Sequence, residues 1–191
     1  MPPVKRARYV SPTAAARSRM GGLPSHLPPQ WPRSAVTGTE MGFLGQFYSA
    51  ELAPFLSSDL LCLQLYQPLE NYSPTEAPGE LSPLVISVPH GARENVAGEG
   101  VRNPHIRLLD IEWVDDVEPE WVDALMLAPE EVEQYIATKF GGAAPDESVH
   151  RSSLYVGILA EGPEGLNLGV PSLVLIKRAG QYELVMETDL Y

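Results

Sequence analysis

The sequence predicts an α+β fold, predominantly antiparallel β with few helices, on three observations. Apolar runs of strand length recur along the chain, and one segment alone carries a helical apolar stripe with signals at both ends. Nineteen prolines and 16 glycines among 191 residues divide the chain into short elements joined by turns and long loops. A chain of this length buries one good core or two small ones.

Residues 1–17 read as a basic N-terminal arm or a first edge strand, and 18–191 as a single globular domain. Residues 18–32 (SRMGGLPSHLPPQWP) are turn-rich, and Gly21-Gly22 permits positive φ or a close backbone approach. MGFLGQFY (41–48) and LLCLQLYQ (60–67) follow as two neighbouring strands, the second with good alternation. After a proline-rich loop comes a third strand, LVISVP (84–89), then a long polar loop. IRLLDIEWV (106–114) is a fourth strand, with Leu109, Ile111 and Trp113 on one face and Asp110 and Glu112 on a solvated one.

The expected helix covers 129–140. Pro129 suits its first position, Glu130 and Glu131 suit the positive end of the dipole, and Val132, Tyr135, Ile136 and Phe140 form one stripe. Lys139 and Gly141 complete a C-terminal signature. SLYVGILA (153–160) then reads as a strand, and 172–177 with 181–187 as a hairpin around Arg178-Ala179-Gly180. Ser18-Arg19-Met20-Gly21-Gly22 is echoed by Thr138-Lys139-Phe140-Gly141-Gly142, a five-position similarity that suggests an internal duplication with lobes at 18–90 and 105–191.

Charge is distributed unevenly. Residues 1–33 hold six basic residues and no acid, which leaves the rest of the chain at −18 against a total of −12. A body this acidic repels nucleic-acid phosphates and attracts basic proteins. The single cysteine, Cys62, excludes an internal disulfide and any Cys-based zinc cluster. No run of 18 apolar residues exists and the N-terminus has no apolar stretch, so neither a membrane helix nor a secretory signal is expected. A cytoplasmic monomer or dimer without a cofactor is the simplest expectation.

Between Asp110 and Glu133 there are ten carboxylates and no Lys or Arg, with Trp113 and Trp121 in the same stretch. Such uncompensated charge calls for a cation, a metal or a basic partner. The partner-binding surface is therefore expected at Asp110, Glu112, Asp115, Asp116, Glu118, Glu120, Trp121 and Asp123, with Trp121 as its aromatic anchor. The D-x-E-x-x-D-D spacing lacks the ligand positions of an EF-hand, so no metal site is expected. No catalytic residue is assigned: the four histidines form no H-x-x-x-H pair, and nucleophile-elbow and phosphate-loop motifs are absent. Arg17 and Arg19 could serve an anion or pair with the acidic body.

Ser18-Arg19, Gly21-Gly22-Leu23-Pro24, Trp31-Pro32, Phe43-Leu44-Gly45-Gln46, Glu51-Leu52 and the apolar strand 60–66 together resemble the YwqG-like family of domains of unknown function. The match is specific over 18–67 and loose over 138–162, where a clear Gly-Gly-x-Pro is lacking. The resemblance implies an internally duplicated fold. It also implies a bacterial immunity protein that neutralises a secreted toxin or effector. The expectation is then a non-catalytic acidic protein that captures such a basic partner. The alternative is a hydrolase or small-ligand-binding protein with a pocket near His90 and Arg93.

Overall fold

A computed structural model describes residues 3–13, 18–69, 83–117, 138–142, 154–160 and 172–186. These hold ten strands: β1 (Pro3–Val10), β2 (Arg19–Met20), β3 (Gly42–Tyr48), β4 (Leu60–Gln67), β5 (Leu84–Pro89), β6 (Leu109–Val117), β7 (Lys139–Gly141), β8 (Leu154–Ala160), β9 (Ser172–Arg178) and β10 (Gln181–Met186). The α+β expectation is overturned, because the described residues are all β and contain no helix. Positions 129–137 of the expected helix lie outside the described residues, and its C-terminal end is strand β7. Lys139 and Phe140 pair with Ile158 and Gly157 on one side and with Arg6 and Lys5 on the other. Nonlocal pairing on both edges outweighs the few tenths of a kcal/mol per residue, roughly, that separate helix propensities. Gly141, read as a helix stop, instead turns the chain out of a strand at φ 82°.

The chain forms two compact units, Val10–Ile111 and Met1–Tyr9 with Glu112–Tyr191. In the first the strand order is β6-β2-β3-β4-β5, β6 contributing its residues up to Ile111. Its core gathers Met20, Phe43, Leu44, Phe47, Cys62, Leu63, Leu65 and Tyr66, all at most 2 % exposed. All seven residues of β3 are buried, so both faces of this central strand are covered. Trp31 stacks edge-on against Tyr66 and donates its indole N–H to Met41 O at 3.0 Å, which fixes the 27–41 segment over the core.

In the second unit the order is β10-β9-β8-β7-β1-β6. Its core includes Val4, Phe140, Val156, Val174, Leu175 and Ile176. Trp113 packs edge-on against Phe140, with ring centroids 5.3 Å apart. The β9–β10 hairpin closes through Ala179 and Gly180, both at positive φ, as a tight two-residue turn requires.

Five strands of each unit correspond in order, β6-β2-β3-β4-β5 to β1-β7-β8-β9-β10. In both, a two- or three-residue strand (β2, β7) follows a buried hydroxyl, Ser18 or Thr138, and ends at a pair of glycines with positive φ. The bulky apolar residue of that strand faces a glycine: Met20 opposite Gly45, Phe140 opposite Gly157. A bulge precedes that glycine in β3 and in β8 alike. Ser18 O accepts from Ile111 N, and Thr138 O from Ala7 N. The echo at 18–22 and 138–142 is thus carried into backbone geometry and pairing. The short strand that follows β1 in sequence pairs with β6, whereas β1 pairs with β7.

Candidate functional site

The acid-rich stretch has an arrangement that its sequence alone does not suggest. Asp110 is 2 % exposed rather than on a solvated face, and its Oδ2 accepts the Thr13 backbone N–H. Glu112 pairs with Arg8, Asp115 with Lys5 at 2.8 Å and Asp116 with Arg6 at 2.6 Å. The basic N-terminal segment is therefore the counter-charge of β6, laid beside it as strand β1. Glu118, Glu120, Trp121 and Asp123 lie outside the described residues, as does Arg17. His90 Nε2–H donates to Ser58 O at 3.1 Å, and Arg93 pairs with Glu99 at 2.9 Å. Among the described residues, no three His, Cys, Asp or Glu side chains gather as metal ligands. No described helix is long and apolar enough to cross a membrane.

The register of the first unit brings together residues that are far apart in sequence. Asp110 faces Arg19, Arg19 faces Gln46, Gln46 faces Gln64 and Gln64 faces Ile86. Directly opposed residues of antiparallel strands project to the same side, so these form one transverse row across β6, β2, β3 and β4. Gln46 and Gln64 are fully buried. Gln46 accepts Ser25 N–H at 2.9 Å and donates to Ser25 Oγ at 2.7 Å. Gln64 donates to His26 O at 2.7 Å and accepts the Tyr66 hydroxyl at 2.8 Å. Tyr48 OH lies 3.1 Å from His26 Nδ1. The row therefore acts as a clamp on the loop that follows Gly21-Gly22.

Beside that loop lies a cleft of about 830 Å³, lined among others by Arg19, His26, Glu94 and Arg102 and by the apolar Leu23, Val96, Ile106 and Leu108. Its outer wall is built by Asn95, whose side-chain amide donates to Pro24 O and Glu99 O and accepts Glu99 N–H, while its backbone N–H donates to Ser25 O. His90 and Arg93 are not among the lining residues. The Arg19 Nε is buried within this arrangement and has no hydrogen-bond partner, and no described carboxylate lies within ion-pair distance of Arg19. A buried charged donor left unpaired costs on the order of 1–3 kcal/mol, which a bound acceptor would offset.

The second unit supplies an internal control. At the register positions of Arg19, Gln46, Gln64 and Ile86 it carries Lys139, Ile158, Val174 and Val185. The architecture thus accepts apolar residues where the first unit places two buried glutamines. Arg19 is recognisable in the sequence as a candidate anion ligand, whereas Gln46, Gln64 and Arg102 stand in no binding motif. The signal for the glutamines was present as two polar residues inside the apolar runs FLGQFY and LLCLQLY. No protein-family model and no curated protein matches the chain.

Proposed function

We propose that this chain is a binding protein whose Val10–Ile111 unit takes a small anionic ligand into the Arg19 cleft. The observation that carries this reading is the Arg19 Nε, buried and without a partner at a concave, polar-and-apolar site on a row that the second unit builds without glutamines. Binding sites concentrate a few placed polar groups among apolar walls, and this cleft has that composition. Arg19 and Arg102 supply guanidinium groups suited to a two-oxygen acceptor, and the clamp of Gln46 and Gln64 holds the wall rigid. A cationic recess on a chain of net charge −12 also sets it apart from the rest of the molecule.

The cleft is preferred here to capture of a basic partner at the acidic stretch, because Lys5, Arg6 and Arg8 pair with Asp115, Asp116 and Glu112. The test is a calorimetric titration of the protein with acetate and with inorganic phosphate, repeated on Arg19→Gln and Arg102→Gln. Saturable binding that weakens about tenfold or more in Arg19→Gln is the expected result. Equal affinity in both variants and the parent would remove the cleft from the account.

A further inference from the structure

Resting on that reading, we infer that the ligand is an amphipathic monocarboxylate, an acid whose apolar tail lies against the apolar lining of the cleft. Three features of the cleft point to it. The first is charge. Among the lining side chains Arg19 and Arg102 bring two positive charges and Glu94 one negative, a formal balance of +1 from these three. Arg102 and Glu94 make no ion pair with described residues, and Asp110, opposite Arg19 in the register, is not a lining residue and accepts the Thr13 backbone N–H. One negative charge closes that balance. A phosphate dianion overshoots it and meets Glu94, while a cation finds two guanidiniums against one carboxylate.

The second feature is shape at the charged end. Arg19 lines the cleft and its Nε has no partner; Nε itself is closed to solvent, so an acceptor that satisfies it has to displace what covers the Nε–Nη edge. That edge offers two parallel N–H groups, which match the two oxygens of a planar carboxylate.

The third is the apolar wall. Val96 is 88 % exposed and Leu108 40 %, and both line the cleft with the more buried Leu23 and Ile106. Val96 follows Asn95, whose four hydrogen bonds anchor the loop, so this valine is presented to solvent on a fixed support. An apolar tail that covers Val96 and Leu108 gains hydrophobic stabilisation without the cost of ordering the loop. Inorganic anions and short acids cannot reach that gain.

The experiment is a set of titrations of the full chain with hexanoate, acetate, hexylamine and inorganic phosphate, on the parent, Arg19→Gln, Arg102→Gln, Val96→Ser and Leu108→Ser. Thermal melts serve to show that each variant folds. The expected result is hexanoate binding at least about tenfold tighter than acetate, with no saturable binding of hexylamine. Val96→Ser and Leu108→Ser, both exposed enough to leave the core intact, should shrink the hexanoate preference several-fold without changing acetate affinity. If acetate or phosphate binds as tightly as hexanoate and loses affinity in Arg19→Gln, the anionic cleft stands and the apolar tail is overturned. If hexanoate affinity is the same in Arg19→Gln and Arg102→Gln as in the parent, or if no anion binds, both readings fall.

Discussion

Gln46 uses both ends of its amide on Ser25, and Gln64 uses both ends of its amide on His26 and Tyr66. A buried glutamine is costly unless every polar atom is paired, so each of these residues dictates where its partner loop can sit. The double variant Gln46→Ile, Gln64→Val copies the residues at the matching register positions of the second unit. Its far-ultraviolet circular dichroism should match the parent, while amide exchange at 23–27 should quicken and anion affinity should fall about tenfold or more. Unchanged exchange at 23–27 would mean that the clamp is not what holds the loop.

Two titrating groups belong to the same scale. Burial pushes the Cys62 thiol from 9.0 up to about 12, and it pushes the Tyr9 phenol from 10.0 up to about 12 against a smaller opposing pull from Thr138. The folded state therefore keeps protons that the unfolded chain releases. Neither group changes stability below pH 9, and both lower it progressively as pH rises from there toward 12. Urea midpoints measured from pH 8 to 11 should decline, and Cys62 should resist thiol reagents in the native protein at pH 8.

At the scale of elements, Gly157 shows what the short strands require. A Cβ there would sit 2.3 Å from Lys139 O and 3.0 Å from Phe140 Cα, both backbone atoms. Gly157→Ala should destabilise by about 1–3 kcal/mol in urea unfolding, because the contact is with the chain itself. The ion pairs of β1 behave oppositely. Arg8 and Glu112 are both more than half exposed, so Arg8→Ala should shift stability by less than about 1 kcal/mol.

Long strands with apolar runs were legible in the sequence, since β3, β4, β5, β8, β9 and β10 fall within a residue or two of where alternation and turn residues put them. The short strand β7 was not, because three residues carry no periodicity and Lys139, Phe140 and Gly141 fit the end of a helix equally well. The site was legible only in fragments. Arg19 stands in a recognisable motif, but its row exists through pairings that span from 18 to 91 residues, and no local pattern encodes those.

For the molecule as a whole, the two units share a pairing pattern but differ in what they place on it. The first unit carries the polar row and the cleft; the second carries Lys139, Ile158, Val174 and Val185 at the same register positions. The acidity of the chain then acts at long range. A net charge of −12 repels an anionic ligand until it enters the cleft, so salt should speed capture by screening the body while it weakens the final contact. Stopped-flow association of hexanoate should therefore show both rates rising between low and physiological ionic strength. An association rate that falls with salt would place the ligand's path under cationic rather than anionic control.

The pairing of β1 with β7 also sets an order of events during synthesis. Val10–Ile111 is continuous in sequence and can close as soon as it leaves the ribosome, apart from the brief wait for Leu109–Ile111 to reach β2. β1 can meet β6 once Glu112–Asp116 have been made, but its other edge has to wait until Phe140 follows. Its arginines and lysine can pair with Glu112, Asp115 and Asp116 as soon as β6 is made, whereas the edge that takes β7 stays open, so a chaperone or a stalled ribosome would meet the molecule with one unit closed and the other incomplete.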